Sequence, residues 1–229
     1  DLHSFPTRRS SDLRFLTKYF KWEYCERINP YNNLYLLKAN IVTVITAILL
    51  AGWGYYEAEK FPEIKNITIR DANIKRPFKL VQLNDLHINR TTNVAKIEQL
   101  VSEVNKLDAD AIAIVGDVVD ELPKQIIPQM QALKELKAKN GMFTVFGNHD
   151  LYAGLLPWLN SFVSLNMKPL FNSGIPVDDQ IYIAGVPDKS IETMSELMKI
   201  DIPKALSGNT DKLYTVLLSH TIEDRKSVV

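Results

Sequence analysis

The sequence predicts an α/β domain built on a largely parallel sheet and preceded by one apolar helix that crosses a membrane. Three observations predict this arrangement. Short β-prone runs alternate with helix-length segments beyond Phe61, a long apolar stretch precedes them, and polar strings containing Asp and His follow several predicted strands. Strands separated by helices need crossover connections, which place neighbouring strands parallel in the sheet.

The apolar stretch, residues 39–56, is interrupted only by Asn40, Thr43 and Thr46 and carries no charge. Together with residues 34–37 it reaches the roughly 20 residues that a membrane-spanning helix needs. Tyrosines and a tryptophan flank it on both sides, as in the aromatic belts of membrane proteins. A buried core helix or a signal-peptide hydrophobic region would give a similar pattern, but no small-residue cleavage site precedes Glu57.

The segments around the span are assigned from composition. Residues 14–38 are aromatic and basic and form a juxtamembrane segment, whereas residues 57–77 are expected to hold a linker and a first strand. Basic residues crowd the N-terminal side of the span, which favours a cytoplasmic N-terminal flank and an extracytoplasmic main domain. Residues 1–13 and 224–229 lack periodicity and are expected to be unstructured or artefactual.

The main domain is expected to cover residues 78–223 as a partial domain. Its predicted strands lie at residues 79–83, 110–115, 142–146, 181–184 and 213–218, and its predicted helices lie at 94–107, 124–139 and 155–166. The aromatic residues of the last helix could line a substrate site, but their spacing favours a helix face turned to the core.

Composition excludes several functional classes. Lys plus Arg and Asp plus Glu both number 27 among the 229 residues, so no net positive charge attracts nucleic acid and no nucleic-acid partner is expected. The single cysteine, Cys25, excludes an intrachain disulfide and a cysteine-rich zinc site. A metal would therefore be held by oxygen and imidazole ligands.

Four polar strings follow predicted strands in chain order. They are Asp85-Leu86-His87, Gly116-Asp117-Val118-Val119-Asp120, Gly147-Asn148-His149-Asp150 and Ser219-His220. The carboxyl edge of an α/β sheet is where sites form, and the two glycines are expected to allow sharp turns there. Carboxylate, imidazole and amide ligands suit Mn, Fe, Zn or Mg, and a shared carboxylate could hold two ions for in-line attack on phosphorus.

Each string alone has a structural alternative. Asp117 could cap a helix, Asp120 could lie in a solvated turn, and His220 could be a structural residue at a strand end. The third string is rare, however, and all four follow their own strands while using three of the four histidines. This combination favours a site over four unrelated structural features.

Residues 78–222 resemble the calcineurin-like metallophosphoesterases, in particular their membrane-anchored bacterial branch. Besides the four strings, the resemblance includes Tyr152-Ala153-Gly154 and Ile183-Ala184-Gly185-Val186. It implies a four-layer α/β/β/α sandwich that holds two divalent metal ions. Asp85 and His87 would then bind the first ion, Asp117 would bridge both, and Asn148 and His220 would bind the second. His149 would act on the substrate as general acid or transition-state stabiliser, oriented by Asp120.

Two departures from the family pattern refine this expectation. No Gly-His-x-His string, which supplies one further ligand to each metal in the family, follows His220 before Val229. The domain is therefore expected to be truncated and to bind metal weakly. The residue after Asp120 is Glu121, where protein phosphatases of this family carry arginine, which argues against phosphoprotein substrates.

The resulting prediction is a two-metal hydrolase of phosphodiester or pyrophosphate bonds in a lipid-linked or nucleotide-linked substrate, held at a bacterial inner membrane. A tethered enzyme would meet lipid-borne phosphates at high effective concentration. The alternative is a non-catalytic metal-binding or sensor module, which would need neither His149 nor Asp120. A nuclease is disfavoured because no basic groove is evident.

Overall fold

The computed structural model describes residues 34–194 and 199–221, so the predicted segments 1–13 and 224–229, and residues 14–33 of the predicted juxtamembrane segment 14–38, lie outside the described residues. The chain divides into two compact units, residues 1–67 and 68–229. The first unit contains helix α1, Leu34–Glu59. Its 26 residues have a hydropathy of 2.0 in their most apolar window, and none is buried. A helix of this length is about 39 Å long, enough to cross a bilayer.

Helix α1 contains the predicted span and extends it at both ends, so residues 34–38 of the predicted juxtamembrane segment are helical. The strand expected within residues 57–77 is absent from the described chain. Ile64, Ile67 and Ile69 in this segment are between 53% and 84% exposed. Without a neighbouring strand to pair with, their β-prone pattern does not produce regular structure.

The second unit contains two sheets. The first has four parallel strands in sequential order, and the second has three strands, of which the first pair is antiparallel and the second parallel. The first sheet consists of β1 (Leu80–Leu83), β2 (Ala111–Val115), β3 (Met142–Val145) and β4 (Met167–Pro169). The second consists of β5 (Ser173–Pro176), β6 (Ile181–Gly185) and β7 (Tyr214–Leu218).

The helices of this unit follow in chain order. They are α2 (Val94–Lys106), α3 (Ile127–Leu133), α4 (Asn148–Tyr152), α5 (Leu155–Ser164), α6 (Ile191–Met194) and α7 (Ile202–Leu206), with a 3₁₀ turn at Pro123–Gln125. Asn93 caps the start of α2, where its side chain accepts a hydrogen bond from the amide of Ala95 at 2.9 Å. The cap satisfies one of the free amides at the helix start.

The side chains of β2 and β6 define four layers. Alternate residues of a strand face opposite sides, so Ile112 and Ile114 pack against the helices while Ala111, Ala113 and Val115 pack against the second sheet. On the other side of that sheet, Tyr182 and Ala184 of β6 pack with Ile202 and Ala205 of α7. Three apolar layers therefore separate helices, sheet, sheet and helix, which confirms the predicted α/β/β/α sandwich.

The helix predicted at residues 124–139 is much shorter than expected. Pro128 lies at its second position, in the first turn, where a proline is tolerated because the amides there have no partner within the helix, so the helix begins at Ile127. At the other end, the side chain of Asn105 donates to Glu135 O and accepts from Lys137 N, both at 2.8 Å. These bonds satisfy the backbone outside a helix, so the segment leaves helical geometry and continues to β3.

The aromatic face of α5 belongs to the core. Trp158 and Phe162 are fully buried and pack against each other with ring centroids 5.3 Å apart. They therefore do not line a substrate site. Tyr152, by contrast, is 67% exposed and its ring centroid lies 6.3 Å from that of His149.

Candidate metal centre

The candidate residues lie in loops that follow the carboxyl ends of four strands. Asp85 and His87 follow β1, Asp117 and Asp120 follow β2, Asn148 and His149 begin α4 after β3, and His220 follows β7. The β1 and β2 loops are joined by backbone hydrogen bonds, from His87 N to Asp117 O at 3.0 Å and from Asp85 N to Gly116 O at 3.2 Å. Both sheets thus contribute to one edge of the sandwich.

Three of these residues have an uncommon backbone conformation. The φ angles of Asp85, His87 and Asp117 are +54°, +44° and +50°. Non-glycine residues rarely adopt positive φ, which costs on the order of 1 kcal/mol or more each. The surrounding loop hydrogen bonds hold these residues there, and strained residues of this kind cluster at functional sites.

The two glycines of the polar strings have different roles. Gly116 has a φ of +78°, which confirms the expected turn. Gly147 has an ordinary φ of −87°, so the prediction that it is needed for a sharp turn is wrong. Its hydrogen is required for another reason: a Cβ at this position would overlap the carboxylate and amide of Asp117. Glycine at 147 therefore lets the β3 loop approach the β2 loop closely.

Asp117 is at the centre of the site and is only 4% exposed. Two groups of residues each bring their potential ligand atoms within 4.8 Å of one another. Asp117 belongs to both groups. One group joins it with His87 and His149, and the other joins it with Asp85 and His220. Carboxylate oxygens and imidazole nitrogens at this spacing fit divalent cations such as Mn, Fe or Zn.

Two of the histidines are oriented by oxygen atoms that accept hydrogen bonds from their Nδ1 atoms. His220 Nδ1 lies 2.9 Å from Val115 O, and His87 Nδ1 lies 2.8 Å from Asp120 Oδ1. Donation from Nδ1 leaves the Nε2 lone pair free as a ligand. The two Nε2 atoms lie 3.3 Å and 3.7 Å from Asp117 Oδ2. Two imidazoles thus face a shared carboxylate, an arrangement that could hold a metal ion.

Asp120 contacts two histidines with the same oxygen atom. Its Oδ1 lies 2.8 Å from Nδ1 of His87 and 2.8 Å from Nδ1 of His149, and the two rings are edge to face at 4.7 Å. The sequence predicted only the contact with His149. The additional contact links the predicted substrate-binding imidazole to a candidate metal ligand.

The acidic surroundings shift the titration of the site. Burial opposes the imidazolium form of His87 and His220, but nearby oxygen acceptors and carboxylates outweigh this effect and raise the pKa of both groups. The carboxyl of Asp120 shows the reverse balance. Burial favours its neutral form, but hydrogen bonds and charge from His87 and His149 hold its pKa below the usual range.

Asp150 is a functional residue whose role sequence reasoning missed. It is fully buried, and its Oδ1 accepts hydrogen bonds from Val118 N at 2.8 Å and Val119 N at 3.0 Å, while Oδ2 accepts from Gly147 N at 2.9 Å. It thereby ties the β2 loop to the β3 loop. Burial raises the pKa of Asp150 to about 6, although these amides partly oppose the shift.

Asn148 is placed beside Asp117 by its backbone. It follows Gly147, and the next amide, His149 N, donates to Asp117 Oδ1 at 2.9 Å. Its side chain makes no hydrogen bond within residues 34–194 and 199–221, so the amide oxygen is available as a ligand. Asp188, which follows β6, is another buried carboxylate. Its charge helps to raise the pKa of His220.

The grouping differs from the one that the family resemblance implied. Asp85 lies with His220 rather than with His87, and His149 lies within ligand distance of His87 and Asp117. The central position of Asp117 agrees with the expected bridging carboxylate. Which residues bind which ion therefore stays a prediction.

Comparison with known proteins agrees with this site. Residues 78–225 match the family model described as calcineurin-like phosphoesterase. An uncharacterized metallophosphoesterase of Helicobacter pylori is 30% identical over 175 residues, covering 76% of this chain and 47% of that protein. A zebrafish (Danio rerio) transmembrane protein with metallophosphoesterase domain is 28% identical over 194 residues, covering 80% of this chain and 44% of that protein.

A more distant relative has a named activity. The UDP-2,3-diacylglucosamine pyrophosphatase LpxG of Chlamydia trachomatis is 25% identical over 146 residues, covering 58% of this chain and 44% of that protein. The chain thus spans somewhat less than half the length of these curated relatives. The family match extends over most of the second unit, from the strand that precedes Asp85 to the loop after His220. The chain therefore belongs to the calcineurin-like phosphoesterase family.

Proposed function

We propose that the protein is a membrane-anchored, two-metal hydrolase of phosphodiester or pyrophosphate bonds in a lipid-linked or nucleotide-linked substrate. The observation that carries this proposal is the position of Asp117, which belongs to two groups of ligand atoms at once. Asp85, His87, Asn148 and His220 would complete the ligands from this chain. Divalent ions held there would supply Lewis acidity towards the phosphoryl oxygens.

The protein's own residues account for proton transfer. His149 donates through Nδ1 to Asp120 at 2.8 Å, so Nε2 is the atom free to face a substrate. The side chain of His149 is 46% exposed, which allows a substrate to reach it. As an imidazolium, protonated at both nitrogens, His149 can give its Nε2 proton to the oxygen that leaves phosphorus, or stabilise charge on the phosphoryl group. Asp120 keeps the ring in the required tautomer.

The substrate class follows from the anchor and from one relative. Helix α1 is long and apolar enough to cross a bilayer, and a relative is named as a transmembrane protein. LpxG is named as a pyrophosphatase of UDP-2,3-diacylglucosamine, a nucleotide-linked sugar that carries two acyl groups. An anchored enzyme with this chemistry would meet lipid-linked phosphates at high local concentration.

The test uses the full-length protein in detergent with Mn²⁺. We expect hydrolysis of bis(p-nitrophenyl) phosphate and of UDP-2,3-diacylglucosamine, with H149A losing about 10²–10⁴-fold in kcat and keeping its Mn²⁺ affinity. A metal-binding sensor module would bind Mn²⁺ without turnover in either protein, and that result would overturn the proposal.

We further propose that the catalytic unit lies on the extracytoplasmic side of a bacterial inner membrane. The support is the excess of basic residues before α1. Cys25, the single cysteine, lies in that flank and would be cytoplasmic. A membrane-impermeant maleimide applied to spheroplasts should leave Cys25 unlabelled and should label a C25S/D211C variant. The reverse labelling pattern would place the catalytic unit in the cytoplasm.

A further inference from the structure

An arginine beside the candidate metal centre is held by a carboxylate that follows Asp120. Arg90 Nε donates to Glu121 Oε1 at 3.1 Å and lies 2.9 Å from Glu121 Oε2. The side chain of Arg90 is 66% exposed, whereas that of Glu121 is 20% exposed. The guanidinium is therefore held at its base by Glu121 while most of its surface faces solvent.

The backbone of Glu121 is fixed by the core. Its carbonyl oxygen accepts a hydrogen bond from Nε1 of Trp158 at 2.9 Å, and Trp158 is fully buried. The next amide, Leu122 N, donates to the side chain of Gln125 at 3.0 Å. Glu121 is thus a rigid support rather than a mobile surface residue, and it restricts the positions that Arg90 can adopt.

Arg90 and Glu121 lie on the two loops that also carry His87 and Asp120. The loops run side by side through a parallel bridge between Ile88 and Val119, and Asp120 N donates to Ile88 O at 3.1 Å. Arg90 lies three positions after His87, so their Cα atoms are at most about 11 Å apart. An extended arginine side chain and a phosphate group bound at the site can together span such a distance.

The free part of the guanidinium suits a phosphate. Nε is used by Glu121, and the terminal nitrogens make no hydrogen bond with a described residue. Paired N–H groups in a rigid fork match two phosphate oxygens, and this geometry is specific to arginine. An exposed ion pair by itself contributes little stability. The main effect of the ion pair with Glu121 is therefore to orient the terminal N–H groups of Arg90.

We propose that Arg90 binds the phosphate that is not attacked in a phosphoanhydride substrate. The inference rests on the proposed hydrolase function and selects pyrophosphate diesters within it. In the reaction, the oxygen of water bonds to one phosphorus, the bond from that phosphorus to the bridging oxygen breaks, and the bridging oxygen leaves with the electron pair. His149 protonates this leaving oxygen, the attacking water returns a proton to His149, and two phosphomonoesters form.

Arg90 would act when the leaving phosphate gains negative charge. A guanidinium bound to that phosphate stabilises the transition state more than the ground state, because charge grows on the bridging oxygen. A diester such as bis(p-nitrophenyl) phosphate has no second phosphate. It therefore gains little from Arg90.

The experiment compares R90A, R90K and R76A in the full-length protein with Mn²⁺. Arg76 is the matched control because its side chain is 56% exposed and paired with Asp178 and Asp179, before the amino ends of β1 and β6. The ratio of kcat/KM for ADP-ribose to kcat/KM for bis(p-nitrophenyl) phosphate should fall about 10–100-fold in R90A. R90K should recover part of this loss, and R76A should leave the ratio unchanged.

Calorimetry with methylenediphosphonate, which cannot be hydrolysed, separates this inference from the proposed function. Binding to the Mn²⁺-loaded protein should weaken about tenfold or more in R90A, while binding of inorganic phosphate should change little. An unchanged ratio and unchanged binding would show that Arg90 forms only a surface ion pair. Equal loss for both substrates would also overturn the assignment. If wild type hydrolyses neither substrate, the proposed function fails and the calorimetry still decides the role of Arg90.

Discussion

Replacing Asp120 by asparagine tests whether one carboxylate supports both a metal ligand and the proposed acid. In the structure, Asp120 Oδ1 lies 2.8 Å from Nδ1 of His87 and 2.8 Å from Nδ1 of His149. D120N keeps an oxygen acceptor of nearly the same shape but removes the charge. Both imidazoles should therefore lose part of their orientation and basicity, and only one of them, His87, is a proposed metal ligand.

The size of the effect follows from the contact. A hydrogen bond to a charged group contributes about 1.5–3 kcal/mol, and Asp120 is sufficiently covered, at 27% exposure, to keep much of this. Such a loss on His87 corresponds to roughly 10–100-fold in metal affinity, the range found when outer-shell partners of metal ligands are replaced. Turnover should fall further, because His149 is affected as well.

The assay is Mn²⁺ titration by calorimetry on D120N, H149A and D110N. Asp110 is a suitable control because it is 23% exposed and accepts hydrogen bonds from Lys79 and Lys139 at the opposite edge of the sheet. We expect weaker Mn²⁺ binding in D120N and unchanged binding in H149A and D110N. If D120N bound Mn²⁺ as tightly as wild type, Asp120 would act on His149 alone and the shared contact would have no functional weight.

Three further predictions concern the loops and their titration. G147A should remain folded by circular dichroism but lose at least about tenfold in Mn²⁺ affinity, because the added Cβ displaces Asp117. The stability that wild type holds over D150N, measured by urea unfolding in EDTA, should be greatest below pH 3.8 and fall by about 3 kcal/mol between pH 3.8 and about 6. The reason is that the pKa of Asp150 rises from 3.8 to about 6 on folding; a constant difference would contradict this. Finally, the raised pKa values of His87 and His220 predict that Mn²⁺ binding weakens on acidification, starting at a higher pH than an ordinary imidazole would give, with proton release visible in buffers of different ionisation enthalpy.

The sequence predicts five of the seven strands in the described residues, and the sheet edge where the candidate side chains meet, because both depend on local patterns; the short strands β4 and β5 were not predicted. Buried runs such as residues 111–115 have few alternatives to a strand, and polar residues directly after them must lie at the carboxyl edge of the sheet. The helix predicted at 124–139 failed for a non-local reason. Asn105 on another helix binds the backbone of residues 135 and 137, and no periodicity within the segment reveals that competitor.

Within the site, residue types were predictable but contacts were not. The requirement for Gly147 is a steric one, set by the approach of Asp117 from another loop. The role of Asp150 was hidden for the same reason, since its three amide donors come from both loops. The pair of Arg90 with Glu121 likewise joins positions that are 31 residues apart in the chain.

The orientation of the histidines shows how the fold prepares the site before any ion is bound. His220 donates to a backbone carbonyl of β2, Val115 O, whereas His87 donates to the side chain of Asp120. A carbonyl at a strand end is fixed by the sheet, so the ring of His220 depends on the sandwich as a whole. The ring of His87 depends instead on Asp120 in the loop after β2, and the same carboxylate also contacts His149. A substitution in the loop after β2 should therefore disturb His87 and leave His220 in place. Such a selective effect is expected of a preorganised metal centre, and not of acids and histidines that merely lie close together.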